Sequence, residues 1–397
     1  MITITDKTNC CGCSACANIC PKKCISMKAD EEGFLYPCVD DSACINCKLC
    51  EKICPISNKP QTFPVLKTYA AKHKNVEIKL KSSSGGMFSA LAEQILKEGG
   101  VVFGATFDKE WKVTHAYAEN LQDLDKLRRS KYVQSDIGNT YQQAKIFLER
   151  GRKVLFTGTP CQIAGLKNYL GHTPVNLVTA DIICHGVPSP GVWGKFLDET
   201  ISPSSVAAID FRYKRFGWDN SYLSIKLKDN QELPKPKGLF VYVKNFLYRS
   251  NGKLFRLIYR LPYGISNLYE RPSCHVCPFK GKNKSSDFTM GDLWGVKHIA
   301  AEMYDNNGVS VLMINSEKAM ALFRTVAPDL VYKEIPLNFV TQYNPYFLYS
   351  TPPSPHRKDF FKAFSEGNSF YKTKAHFLPK GIKGYILNFL RWIGKAH

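Results

Sequence analysis

Eight cysteines near the start of the chain carry its plainest chemistry. They read Cys10-x-x-Cys13-x-x-Cys16-x-x-x-Cys20-Pro21, then Cys44-x-x-Cys47-x-x-Cys50-x-x-x-Cys54-Pro55. Thiolates three residues apart in a turn can reach adjacent irons of one cubane, and the fourth Cys, just ahead of a proline, crosses to the other cluster. That rule assigns Cys10, Cys13, Cys16 and Cys54 to one [4Fe–4S] cluster and Cys44, Cys47, Cys50 and Cys20 to a second. Zinc takes C-x-x-C pairs without the third Cys or the Cys-Pro. A disulfide framework needs an oxidising compartment, and the N-terminus has no charged-then-apolar leader pattern. The expectation is a cytoplasmic protein assembled where thiols stay reduced.

Four more cysteines stand in distinctive settings: Cys161, Cys184, and the pair in Cys274-His275-Val276-Cys277-Pro278. A single C-x-x-C could be a redox dithiol or half of a zinc site. Together with Cys161 and Cys184, it supplies the four thiolates that one further cubane needs. Of the fifteen cysteines, Cys11, Cys24 and Cys38 are left without a role.

The elements that must hold these residues follow from periodicity. Residues 1–60 form a small cysteine-bound module whose core is supplemented by metal. The polar, proline-punctuated run Ser57 to Pro64 reads as a linker. Val65 to Ala71 reads as a strand. Phe88, Leu91, Ala92, Ile95 and Leu96 then fall on one helical face, stopped by Gly99 and Gly100. Ahead of that helix stands Ser82-Ser83-Ser84-Gly85-Gly86. The serines could cap the first turn, or the backbone N–H groups could receive a phosphate. Val101 to Thr106 is a strand, Leu121 to Arg129 and Gln142 to Arg150 are helices, and Lys153 to Phe156 is a strand entering Gly158-Thr159-Pro160-Cys161-Gln162. Asn176 to Cys184 is another strand. This alternation predicts an α/β domain with Cys161 and Cys184 at strand ends, where ligand chemistry gathers. From Ala207 to Tyr263 the pattern turns antiparallel, basic and aromatic, with Arg212, Tyr213, Lys214, Arg215, Phe216 and Trp218. It fits either a half-buried hairpin or a rim for an anionic partner. The fold class is thus a mixed α+β and α/β one, divided at 1–60, 65–150, 151–335 and a C-terminal extension 336–397.

The formal net charge is +20 and hydrophobic residues make up 44% of the chain, ample for a packed core. The charge favours an acidic partner, nucleic acid or an anionic membrane surface. No nucleic-acid-binding motif accompanies it, so nucleic acid is not expected as a partner. No apolar run reaches the roughly eighteen residues of a membrane span. Ile382, Tyr385, Ile386, Phe389, Leu390 and Ile393 mark a basic amphipathic helix. It either docks on the core or lies in the plane of an anionic membrane with Trp392 at the interface.

In combination these motifs resemble the coenzyme F-420 hydrogenase/dehydrogenase beta subunit family. The matching pieces are Ser84-Gly85-Gly86, Lys131-Tyr132 with Ser135, Gly158-Thr159-Pro160-Cys161-Gln162, Cys184-His185-Gly186, the C-x-x-C at Cys274, and Ser286 to Gly295. The resemblance covers about residues 65–300, together with a two-cluster ferredoxin module that many members carry. It implies a bound flavin, FAD, and a third [4Fe–4S] cluster on Cys161, Cys184, Cys274 and Cys277. It places the flavin near Ser84, Gly85, Gly86, Lys131, Tyr132, Ser135, Gly158 and Thr159. The basic stretch after Phe211 is similar to a bacterial branch encoded among surface-polysaccharide genes, and no residues dedicated to coenzyme F-420 stand out.

The expected function is an iron–sulfur flavoprotein oxidoreductase linking ferredoxin, or another redox protein, to a small-molecule substrate. The alternative is an electron-transfer subunit without a substrate site, docked on a partner enzyme. His185 is expected to hydrogen-bond a cluster sulfur. Asp287 and Asp292 are expected to cap turns or helices rather than to act as acid or base.

Overall fold

The computed structural model describes residues 1–233, 267–370 and 373. Its first module repeats one backbone conformation. In each cysteine repeat the residues on both sides of the second Cys turn left-handed: Gly12 and Asn46, just before Cys13 and Cys47, have φ of 68° and 55°, and Ser14 and Lys48, just after them, both have φ of 59°. Left-handed backbone at a non-glycine costs on the order of 1 kcal/mol. The turn therefore has to be held from outside by packing or by what its thiols bind. The short helices α1 (Ala15–Ile19) and α2 (Leu49–Lys52) follow these turns. Between them β1 (Ile25–Ala29) and β2 (Leu35–Val39) form an antiparallel hairpin. The module's own core is small: Ile2, Ile25, Cys16, Cys24 and Cys50.

The run Ser57 to Pro64 is not wholly a linker, because β3 (Phe63–Pro64) pairs with a later strand, β12 (Asn283–Lys284). The main body then builds β4 (Lys67–His73), α3 (Val76–Leu80), α4 (Met87–Lys97), β5 (Val101–Phe107), β6 (Val113–Ala118), α5 (Leu121–Leu124), α6 (Thr140–Glu149), β7 (Val154–Gly158), α7 (Pro160–Leu170), β8 (Leu177–Ile182) and α8 (Pro190–Thr200). β9 (Val206–Tyr213), β10 (Tyr222–Leu227) and β11 (Glu232–Leu233) form the expected antiparallel insertion. After β12 come β13 (Phe288–Asp292), β14 (Ser310–Ile314), the helix Glu317–Val326 and β15 (Leu330–Glu334).

Eight strands make one mixed sheet in the order β15-β4-β14-β13-β8-β7-β5-β6. β5, β7, β8 and β13 are parallel neighbours; β14 runs against both β13 and β4. The C-terminal ends of β4, β13, β8, β7 and β5 thus share one edge, the edge where open sheets of this kind bind ligands. Successive residues alternate between two cores. Val102, Leu155 and Val178 face α4 and Glu317–Val326. Val101, Phe103, Val154 and Phe156 face α6, α7 and the cysteine module itself. A Cβ on Gly165 of α7 would lie 3.0 Å from Cys13 Sγ, so that helix can approach the module only with glycine there.

Two local expectations are corrected. The helix expected over Leu121–Arg129 ends at Leu124. Arg129 turns left-handed, and Lys131 Nζ donates to the carbonyls of Lys126 and Arg128, which the unwound segment leaves without helical partners. None of the serines caps α4. Its N-cap is Gly86 with φ of 93°, and the serine side chains bond elsewhere: Ser82 Oγ to the Ile78 carbonyl, Ser84 Oγ to the Val309 carbonyl, and Ser83 Oγ as acceptor for Ser130 N–H. Among the described residues no helix is long and apolar enough to cross a membrane. The amphipathic stretch Ile382 to Ile393 and the insertion beyond Leu233 lie outside the described residues.

Candidate metal centre and cofactor cleft

Cys161, Cys184, Cys274 and Cys277 come from three stretches of chain and line one hollow, beside Pro160, Ile183 and Tyr346. Cys161 sits in the first turn of α7, Cys184 two residues past β8, Cys274 inside the 3-10 turn Pro272–Val276, and Cys277 at the end of that turn. Burial pushes the Cys184 thiol up to about 12; Lys280 opposes this, and Cys161 and Cys277 add to it. Burial also raises Cys274, reinforced by the charges of Cys184, Cys161 and Cys277. Four thiols that each hinder the others' ionisation will lose their protons together only when positive charge enters among them. That donor set fits an iron–sulfur cluster. Among the described residues no three His, Cys, Asp or Glu side chains close tightly enough to share one metal ion. A cubane asks for a wider set, since each thiolate binds its own iron.

In the N-terminal module Cys13, Cys16 and Cys50 are buried, Cys10, Cys20, Cys44 and Cys54 are half-buried, and Cys47 is exposed. The Cys16 thiol is pushed up to about 12 by burial and by the nearby charges of Cys10, Cys54 and Cys50. Cys54 and Cys50 of the second repeat therefore both lie within range of the first repeat's thiols. Cys11, left without a role by spacing, is buried, packs in the same core cluster as Cys13 and lines the hollow together with Cys161. No spacing rule would have found it, because Cys161 lies far along the chain. Cys24 lies with its Sγ 3.3 Å from Cys20 Sγ.

The flavin candidates gather along the same sheet edge. Gly85 N–H donates to Ser310 Oγ at 2.9 Å, and a Cβ on Gly85 would stand 2.5 Å from the Ala71 carbonyl, so glycine is required there. Lys214 Nζ reaches over from β9's end to the carbonyls of Ser84 (2.8 Å) and Lys79 (2.9 Å). Burial pushes both Lys131 and Lys214 down to about 7. Tyr132 Oη accepts from Arg212 Nη1, which also donates to Asp292 Oδ2 at 2.7 Å. Ser135 Oγ accepts from Gln162 Nε2 at 2.9 Å. Gly158 lies against Gln162 and His115, and the Thr159 N–H donates to Gln162 Oε1. Two buried polar atoms here have no partner, Arg212 Nη2 and His115 Nδ1. Arg212 Nη2 can only donate, and His115 Nδ1 can only accept, because Nε2 of the neutral ring donates to the Thr157 carbonyl; each could meet a complementary group of a bound cofactor.

Asp292 does not cap a turn: it pairs with Arg212 and accepts from Trp218 Nε1. Asp287 accepts from Thr179 and Ser316, and so ties β8 to the start of the helix Glu317–Val326. His185, expected against a cluster sulfur, pairs through Nδ1 with the buried Glu270 at 3.2 Å and packs on Tyr346. His115 and Glu270 carry no sequence signal, and the basic stretch that marked Arg212 and Lys214 did not show their partners, because what these residues meet lies on distant elements.

Three protein-family models match the chain. Residues 9–58 match a 4Fe-4S dicluster domain. Residues 68–140 and 151–338 match the N-terminal and C-terminal parts of the coenzyme F420 hydrogenase/dehydrogenase beta subunit. A curated relative, the coenzyme F420-dependent sulfite reductase of Methanocaldococcus jannaschii, is 27% identical over 169 residues, which are 41% of this chain and 26% of that protein. The chain thus spans about a quarter of the length of that relative. Among solved structures, a chain of the F420-reducing [NiFe] hydrogenase complex from Methanosarcina barkeri aligns with a TM-score of 0.46 at 18% identity, over 73% of this chain and 91% of that one.

Proposed function

Since this chain belongs to the coenzyme F420 hydrogenase/dehydrogenase beta subunit family and is an iron–sulfur electron-transfer protein, we infer that it is a flavin-dependent oxidoreductase with three [4Fe–4S] clusters. Cys10, Cys13, Cys16 and Cys54 would hold an inner cluster of the N-terminal module. Cys44, Cys47, Cys50 and Cys20 would hold an outer one, and Cys161, Cys184, Cys274 and Cys277 a third. Ser84, Gly85, Gly86, Lys131, Tyr132, Ser135, Gly158 and Thr159, with Arg212 and His115, would border FAD. When bound, a flavin exchanges one-electron for two-electron chemistry, which would let a one-electron protein donor serve a small substrate.

The residues themselves do four things. Exposure of Cys47 leaves the outer end of the module open to a partner protein. Cys11 joins the inner thiols to the hollow that Cys161 lines. The turn Gly158-Thr159-Pro160-Cys161 joins the thiol hollow to the cleft, with Thr159 Oγ1 at 3.1 Å from Cys161 Sγ. Lys131, Lys214, Arg129 and Arg212 supply cationic surroundings for an anionic group near Ser84.

The observation that carries the reading is that four thiols from three separate stretches of chain line one hollow on the sheet edge shared with the Ser-Gly-Gly loop. Anaerobic purification with iron, sulfide and flavin quantified tests it. About twelve irons and one FAD per chain are expected, four irons for each cubane. Eight irons with flavin would confine the clusters to the first module, and colourless protein would end the reading.

The limited match to the sulfite reductase favours a second reading, an electron-transfer subunit whose partner holds the substrate site. Stoichiometric co-purification with another protein, and no reduction of small acceptors by the isolated chain, would select it. The substrate class, including any in surface-polysaccharide metabolism, is open to the same assay.

A further inference from the structure

Arg271 is one of the largest fully buried side chains in the described structure, yet it lies outside every motif of the sequence. Three residues ahead of Cys274, it reaches back to the other end of the chain. Nε donates to the Cys10 carbonyl at 2.8 Å, Nη1 to Gln134 Oε1 at 2.9 Å, and Nη2 to the Leu35 carbonyl at 3.0 Å and to Cys10 Sγ at 3.5 Å. The guanidinium lies 4.2 Å from the centre of the Tyr36 ring and 5.3 Å from that of Phe34. The Arg271 carbonyl also accepts from Cys274 N–H at 2.9 Å. The fit is close: a Cβ on Gly12 would stand 2.7 Å from both Arg271 Nη1 and Gln134 Nε2.

No carboxylate is among these partners. A buried guanidinium bonded to neutral groups and a thiol needs a nearby anion to offset its desolvation. The four thiolates of an iron–sulfur cluster supply one. We propose that Arg271 is a positioning residue that sets the potential of the cluster held by Cys10, Cys13, Cys16 and Cys54, and makes it the better electron acceptor of the two in the N-terminal module. This rests on reading Cys10 as a cluster ligand. Adding an electron makes a cluster more negative. A fixed cation and an N–H donor at one of its sulfurs stabilise that state more than the oxidised one, raising the potential. Among the described residues no arginine or lysine side chain hydrogen-bonds to Cys20, Cys44, Cys47 or Cys50, whereas Arg271 does so to Cys10. One electron leaving the outer group for the inner one oxidises the first and reduces the second, without a proton. Arg271 biases that exchange inward, toward Cys11 and Cys161.

The test is an EPR-monitored redox titration of the full chain purified without oxygen, comparing the parent with Arg271→Gln and Arg271→Lys. In Arg271→Gln one of the two ferredoxin-type signals should move to lower potential by a tenfold or larger change in its reduction equilibrium, about 59 mV for one electron. Arg271→Lys, which keeps the charge but loses the fork, should recover part of the shift. If Arg271→Gln keeps all its iron and every signal keeps its potential, the proposal is overturned while the cluster reading stands. A parent protein without clusters overturns the cluster reading instead. Should Arg271→Gln lose iron, the parent labelled with 15N-arginine decides. Pulsed EPR of the inner reduced cluster should detect an arginine nitrogen coupling, and its absence overturns the proposal.

Discussion

Thr159 Oγ1 stands 3.1 Å from Cys161 Sγ, within the turn that carries β7 into α7. The same hydroxyl lies 3.1 Å from Gln162 Oε1, which accepts the Thr159 N–H. One residue thus serves both the start of a helix and a thiol of the candidate metal centre. The hydroxyl's single proton goes to Gln162 Oε1 in this structure; it would turn to Cys161 Sγ when that sulfur is an iron-bound thiolate, and a donating hydroxyl there would stabilise the reduced cluster. Thr159→Val should keep the third cluster and lower its potential by the equivalent of about 0.5–1.5 kcal/mol, the net value of one neutral hydrogen bond. Thr159→Ser should leave it unchanged. A redox titration of both variants checks this, and equal potentials in the two would remove the hydroxyl from the account.

Cys274→Ala should cost about four irons per chain and leave the ferredoxin-type signals in place. Its thiol lines the hollow with Cys161, Cys184 and Cys277, and the eight ferredoxin-type cysteines do not line it. Iron and sulfide analysis with EPR gives the result. Retention of every iron would show that Cys274 binds none.

The dicluster domain over residues 9–58 was legible because its spacing is local: three of the four candidate ligands in each repeat fall within seven residues. The same holds for strand–helix alternation and for the antiparallel change after Ala207. What escaped was long-range. Arg212 meets Asp292 80 residues away, and Arg271 meets Cys10 261 residues away. Neither pair leaves a local pattern. Cys11 looked redundant beside Cys10 and Cys13 because its second partner, Cys161, belongs to another module. Ser82, Ser83 and Ser84 read as caps because capping is what serines do before a helix. Here Gly86 takes the left-handed cap position, and Ser83 and Ser84 reach Ser130 and Val309 instead.

Lys214 predicts a pH dependence of stability. Burial pushes its folded-state value down to about 7, against about 10.4 in an unfolded chain. Between those values the unfolded chain binds the proton that the folded one has lost, so stability rises with pH across roughly 7 to 10. Below about 7 both states are charged, the slope vanishes and the full cost of burying the cation remains. Lys214→Met removes this contribution and leaves Lys131 and the thiols in both proteins. The stability of the parent relative to Lys214→Met should therefore rise by up to about 1.4 kcal/mol per pH unit over that window. Denaturant midpoints at pH 6, 7, 8, 9 and 10 measure it, and parallel profiles would contradict it.

Arg212 tests the cofactor cleft separately from the metal centre. Its Nη1 is used by Tyr132 and Asp292, its Nε donates to Ser221 Oγ at 2.7 Å, and its Nη2 is buried without a partner. Removing the charge outright would leave the largely buried Asp292 without its ion-pair partner, at a cost of up to about 3–5 kcal/mol, and the fold itself would suffer. Arg212→Lys keeps the charge for Asp292 but gives up the fork and with it the spare donor. A hydrogen bond from a charged group is worth about 1.5–3 kcal/mol. The variant should therefore bind FAD at least tenfold more weakly, with iron content and thermal midpoint close to those of the parent. Equilibrium dialysis of deflavinated protein against FAD, with iron counted in the same samples, separates the cases. Unchanged flavin affinity would mean that the empty valence of Arg212 faces something other than this cofactor.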